Sequence, residues 1–183
     1  LDPATGERKR LAGAPAGLEL DAFGVAADAT TAFVVAHETS SLSEVLLQVP
    51  LTGGKLTELA RIKLPFDQTL KGATADATHV YWALSSGLVM RAAKGAPGAV
   101  ETVVDDPDGL SAFVVTDSEI VYASGSMMTP IVRTPKAGGP KTTIVEHTGA
   151  RYGLTVVGRD VVYATANDDL RRVSLGGGDD KQI

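Results

Sequence analysis

A segment that repeats at an almost constant interval constrains this 183-residue chain more than any other feature. Residues 25–33 (VAADATTAF), 73–81 (ATADATHVY), 114–122 (VVTDSEIVY) and 155–163 (TVVGRDVVY) align without gaps. Each places an Asp or Gly five residues before an aromatic: Asp28 and Phe33, Asp76 and Tyr81, Asp117 and Tyr122, Gly158 and Tyr163. Asp28 to Asp76 spans 48 residues, Asp76 to Asp117 spans 41, and Asp117 to Gly158 spans 41. A period of about 40–45 residues marks a propeller or another stacked-repeat architecture.

A second landmark follows each first one. Residues 50–54 (PLTGG), 93–98 (AKGAPG), 135–139 (PKAGG) and 174–178 (SLGGG) are rich in turn formers. Each precedes a short strand-like run, at 55–60, 99–104, 141–145 and 179–183. The length variation falls between the two landmarks, as it does for loops on a fixed scaffold. Each repeat therefore reads as four short strands, with β-branched and aromatic residues where strands favour them. Residues 42–49 have some helical periodicity but no cap pair, and Gly or Pro interrupts every other helical window. Four-stranded repeats bury their faces only by stacking on neighbours, and a radial stack is an all-β propeller. A β-sandwich has similar strand density but predicts no recurring period.

The expected boundaries are 1–20 for the end of a preceding blade and its loop, then blades at 21–63, 64–106, 107–148 and 149–183. Residues 2–12 resemble a Gly turn plus a fourth strand, which gives five outer strands for four inner sets. The expectation is a fragment of a propeller with more blades, against a complete four-bladed ring with a loose tail.

The strands around Val80-Tyr81-Trp82-Ala83, with partial matches at 32–34, 121–123 and 162–164, and the third-strand residues Arg91, Arg133 and Arg172, carry a resemblance to a known family. They resemble the YWTD-type propellers of the low-density lipoprotein receptor class and similar bacterial propeller domains. The resemblance spans residues from about 20 to 183. It departs after the Tyr-Trp pair, where the family has Thr-Asp and an Asp that ties blades together. This chain has Ala-Leu, Ala-Ser and Ala-Thr there, so its blades must be joined differently. The resemblance implies a ligand-binding or scaffold propeller, bacterial and exported to the periplasm or beyond the cell. It does not imply lipoprotein binding.

Composition narrows the function classes. With 17 Lys+Arg against 22 Asp+Glu, the formal charge is −5, which offers no basic footprint for nucleic acid. No apolar run approaches the ~18 residues of a membrane-spanning helix. The absence of Cys excludes disulfides, thiolate metal sites and a Cys nucleophile.

The candidate chemistry is sparse. Asp28, Asp76 and Asp117 form either a ring of carboxylates or, as preferred here, caps on the turns between first and second strands. Residues 105–109 (DDPDG) faintly resemble a calcium loop, but Pro107 and the missing distal Glu favour a solvated turn. His37, His79 and His147 lack the spacing of a helical zinc motif. There is no Gly-x-Ser-x-Gly elbow, and Gly53-Gly54-Lys55 lacks the first Gly of a phosphate loop. Phe33, Tyr81, Trp82, Tyr122 and Tyr163 are read as a recurring strand position that packs blades together.

Propeller ligands sit at one mouth of the central channel, where the loops into each first strand meet the links from second to third strand. The residues picked there are His37, Glu38, Asp67, Gln68, Asp108, Arg151 and Tyr152. No cofactor is expected. The expected activity is non-catalytic binding of a protein, peptide or glycan by a monomer. The alternative is part of a propeller enzyme, of lyase or lactonase type, with a metal-assisted site at the channel.

Overall fold

The computed structural model describes residues 8–13, 20–38, 41, 43–63, 68–125, 129–146 and 148–183, with side chains for all of these except 20–23, 151 and 152. Sixteen strands among the described residues form four antiparallel sheets of four, each built from strands consecutive in the chain. Sheet 1 contains β1 (Leu20–Ala27), β2 (Thr31–Glu38), β3 (Ser43–Pro50) and β4 (Thr57–Lys63). Sheet 2 contains β5 (Leu70–Ala75), β6 (His79–Leu84), β7 (Leu88–Ala93) and β8 (Val100–Asp105). Sheet 3 contains β9 (Leu110–Val115), β10 (Glu119–Ser124), β11 (Ile131–Pro135) and β12 (Thr142–Val145). Sheet 4 contains β13 (Ala150–Val157), β14 (Asp160–Thr165), β15 (Leu170–Ser174) and β16 (Lys181–Gln182). No α-helix occurs among the described residues, and the segment with weak helical periodicity is β3.

The sheets stack through their first strands, β1 on β5, β5 on β9 and β9 on β13. Three apolar clusters fill the three seams. Trp82, Val80 and Leu84 of sheet 2 pack on Phe33, Val35 and Leu46 of sheet 1. Tyr122, Ile120 and Val132 of sheet 3 pack on Ala83, Val89 and Val104 of sheet 2. Tyr163, Val161 and Val173 of sheet 4 pack on Val121, Ala123 and Ile131 of sheet 3. Strand alternation explains the division: odd and even side chains of a second strand point to opposite neighbours.

The cross-strand register corrects one expectation. Asp28, Asp76, Thr116 and Val157 are equivalent, each the last residue before a two-residue turn. Asp117 and Gly158 fall one place later, inside the turn. The aromatics are offset in the same way. Phe33 and Tyr81 lie opposite Gln48 and Arg91, at the place Val121 and Val162 hold opposite Arg133 and Arg172. Trp82, Tyr122 and Tyr163 occupy the next place, on the opposite face. The five aromatics thus serve two positions, one facing the following sheet and one the preceding sheet.

Asp28 and Asp76 do cap their turns. Oδ1 of Asp28 accepts the amides of Thr30 and Thr31, and Oδ1 of Asp76 accepts those of Thr78 and His79. In sheet 3 the cap is Thr116, whose Oγ1 accepts the Glu119 amide at 3.0 Å, and not Asp117. Either residue type can do this, because each has a side-chain oxygen within two bonds of Cβ, close enough to reach a turn amide.

The capping carboxylates also join sheets. Lys94, on the Gly-rich turn of sheet 2, reaches Asp28 Oδ2 at 2.7 Å and lies 5.0 Å from the Phe33 ring centre. Lys136, on the same turn of sheet 3, pairs with Asp76 Oδ2 and lies 5.3 Å from the Tyr81 ring centre. Tyr81 Oη donates to the same Asp76 oxygen at 2.9 Å. Lys94 holds the Asp28 carboxyl well below the usual carboxylate range, with the Thr30 and Thr31 amides adding to it. Burial works against ionisation of Asp76, but Lys136 and the turn amides outweigh it and lower that carboxyl too. In sheet 4 the corresponding turn residue is Leu175, packed into the cluster that holds Val121 and Val114.

Candidate binding face

The links between second and third strands and the loops between sheets lie on one edge of the stack. Backbone bonds stitch them together. Ser85 donates to the Thr69 carbonyl, Asp106 to that of Gly87, and Leu110 to that of Ser85. Gly125 donates to the Gly109 carbonyl, Thr148 to that of Thr129, and Ala166 to that of Gly149. Gly87 is essential to this contact. Its φ is +94°, and a Cβ there would stand 1.9 Å from the Asp106 carbonyl oxygen.

Four polar groups sit on this edge. At sheet 1, His37 Nδ1 lies 3.2 Å from Glu44 Oε1. Glu44 is buried, and that burial pushes its carboxyl above the ordinary value against the opposing pull of His37. Its Oε2 meets no hydrogen-bond donor among the described residues. Glu38 accepts from Ser41 and Arg61, while Arg61 also donates to Glu58 at 2.8 Å. The Ser41 hydroxyl and then Arg61 lower the Glu38 carboxyl, burial opposing. At sheet 2, Ser86 Oγ donates to Gln68 Oε1 at 2.9 Å. At sheet 3, Asp106 accepts from Ser124 at 2.8 Å and from Lys141 at 3.0 Å. At sheet 4, Thr165 accepts the amides of Asn167 and Asp169, and Asp169 accepts from Gln182.

The picked residues are thus distributed among sheets. His37 and Glu38 are neighbours on β2, point to opposite faces and have different partners. Gln68 belongs to the sheet 2 group, and the exposed Asp108 lies 3.5 Å from Lys141. Arg151 and Tyr152 are on β13, with side chains outside the described set. Asp67 and His147 lie outside the described residues. Among the described residues no three His, Asp or Glu side chains gather to hold a metal ion.

Asp106 was missed. The DDPDG segment reads as a solvated turn, yet Asp106 is 2% exposed. Burial opposes its ionisation, but the Ser124 hydroxyl and Lys141 together lower the carboxyl. It lines a cleft of about 190 Å³ between sheets 2 and 3, together with Val104, Tyr122, Thr134 and Lys141. Burial and the adjacent Asp106 charge raise the Tyr122 hydroxyl. A signal for this grouping is absent from local sequence, because Ser124 and Lys141 are 18 and 35 residues away.

No known family's sequence pattern matches the chain, and no curated protein matches it. Solved structures do. The computationally designed Ika4 protein superposes with a TM-score of 0.64 at 12% identity, over 92% of this chain and 99% of that one. YCF48 bound to D1 peptide gives 0.60 at 9% identity, over 85% of this chain and 49% of that one. The C-terminal WD40 domain of Sif2 gives 0.60 at 11% identity, over 88% of this chain and 50% of that one. The fold is a β-propeller. The propeller likeness extends to several kinds of protein and does not single out the YWTD class. The chain spans about half the length of the last two.

Proposed function

We infer that this propeller is a binding scaffold for a protein or peptide, and that the stitched loop edge is its recognition face. The supporting observation is the contrast on that edge between a fixed backbone and side chains that differ from sheet to sheet. The frame holds Gln68, Asp108, Lys141 and the Asp106 cleft in place before a ligand arrives, which reduces the ordering cost of binding. The neighbour solved with a bound peptide, at 9% identity, is consistent with such use of the fold. Export, and kinship with YWTD-type propellers, belong to the same reading and rest on the sequence resemblance.

The test is selection of peptides from a displayed random library against the full chain, followed by affinity measurements on variants. Selected peptides are expected to bind at least about tenfold more weakly to Asp108→Arg or Gln68→Ala, a loss of about 1.4 kcal/mol. Lys55→Ala, on the opposite edge, is expected to leave them unchanged. Peptides that respond to Lys55 and ignore Asp108 and Gln68 would overturn the assignment of the face.

A further inference from the structure

The outward face of sheet 4 has the composition of a seam and is not covered by any of the described residues. Leu170 pairs with Ala164 across the sheet, as Leu46 pairs with Val35, Val89 with Ala83 and Ile131 with Ala123. Leu46, Val89 and Ile131 are at most 2% exposed, whereas Leu170 is 47% exposed. Ile183 follows Gln182, the partner of Arg171, as Leu59 follows Glu58 and Ile144 follows Thr143 on the equivalent strands. Leu59 and Ile144 are buried, and Ile183 is 59% exposed. Val157, at the place of Asp28, Asp76 and Thr116, is 63% exposed. Three of the five exposed large hydrophobic residues among those described therefore lie on this one face.

The chemistry of its partner follows from the three seams already formed. Where the earlier sheet offers an acid and an aromatic (Asp28 with Phe33, Asp76 with Tyr81), the later sheet reaches across with Lys94 or Lys136. Where it offers Thr116 and Val121, the later sheet reaches across with Leu175. Sheet 4 offers Val157 and Val162, so it requires a Leu-type turn. Sheet 1 has that turn: its residue at the Lys94, Lys136 and Leu175 position is Leu51, bonded to Thr30 O as they are to Thr78, Ser118 and Arg159. Leu51 is itself exposed. β1 and β13 lack the packing that joins the other first strands among the described residues.

We propose that sheet 4 docks sheet 1 of a second copy of this chain, head to tail, in an apolar seam of Leu51 against Val157 and Val162. Leu11 O currently accepts the Gly54 amide, as Leu59 O accepts that of Gly98. Ile183 holds the corresponding place on sheet 4, so docking exchanges residues 8–13 for β16 at that edge. A head-to-tail contact closes into a ring or continues as a filament, according to the rotation per copy.

The experiment is sedimentation of the full chain over a concentration series, with circular dichroism to show that each variant folds. The wild type is expected to associate beyond its 18.9 kDa monomer, as a discrete ring or as longer assemblies. Leu51→Lys and Val157→Asp should each weaken association by about tenfold or more, as expected when a buried apolar contact is lost. The two together with Val162→Tyr should restore it, because the three recreate the acid, aromatic and Lys of the second seam. A wild type that stays monomeric at every concentration overturns the proposal, whether its ends close on each other or remain open. Association that the triple variant does not restore overturns the Leu51–Val157 pairing.

Discussion

The seams on either side of sheet 3 solve the same problem differently. Toward sheet 2, Lys136 is tied to Asp76 and lies over Tyr81. Toward sheet 4, Thr116, Val121 and Leu175 fill the same three places with one hydroxyl and two aliphatic side chains. The three residues change as a set, although the acid and the Lys are 60 residues apart in the chain. A lone Asp there would be a partly buried carboxylate without a cation, and a lone Lys would be worse than Leu. The pair of seams shows that sheet packing accommodates either chemistry.

The largest expected effect breaks the apolar seam. Tyr163→Ala removes the largest side chain that sheet 4 contributes there and should cost about 3–5 kcal/mol, read from urea unfolding. Next, Asp76→Ala strands Lys136 and removes the Tyr81 acceptor. Lys136 retains some water contact whereas Tyr81 is fully buried, so the expected cost is about 1–3 kcal/mol, with Thr116→Ala costing about 1 kcal/mol or less. Equal costs would mean that the tie contributes nothing beyond the cap.

A graft sharpens the comparison. Thr116→Asp and Leu175→Lys should each destabilise the seam between sheets 3 and 4. Together they should fall closer to wild type than the sum of the singles, by a coupling of about 0.5–3 kcal/mol. Additive losses would show that Val121, in place of an aromatic, cannot support the polar arrangement. The smallest effect is in pH. The Asp28 and Asp76 carboxyls are lowered in the folded chain, so the stability they contribute is complete above the ordinary carboxylate value of about 3.9. It is lost as pH falls through their lowered values. Hydrogen exchange in acid should therefore loosen β5 and β6 before β13 and β14. Uniform loosening would place the acid-sensitive groups elsewhere.

The repeat made the four sheets legible, because period, turn glycines and β-branched runs agree. The capping roles of Asp28 and Asp76 were legible for the same reason. The offset of sheets 3 and 4 was not. Aligning on the aromatic matched Tyr122 to Tyr81, whereas hydrogen-bond register matches it to Trp82. Thr116 and Asp117 are adjacent and both chemically able to cap, so local sequence does not choose between them. The Lys–Asp ties were hidden by distance along the chain, and the burial of Asp106 by its setting in an otherwise ordinary turn sequence. On the proposed recognition face, sequence marked the loops. It did not show that their charged side chains are shared out among separate sheets.

The stitching of that edge has a consequence for what it can recognise. The amides of residues 85, 87, 106, 109, 110, 125, 148 and 166 are all already donated to carbonyls. Clusters of free N–H groups, which cradle phosphates and carboxylates in other folds, cannot be assembled from these positions. An anionic ligand at these positions would be met by Lys141 or another side chain. At these positions selectivity is thus written in side chains, and single substitutions can rewrite it without disturbing the frame.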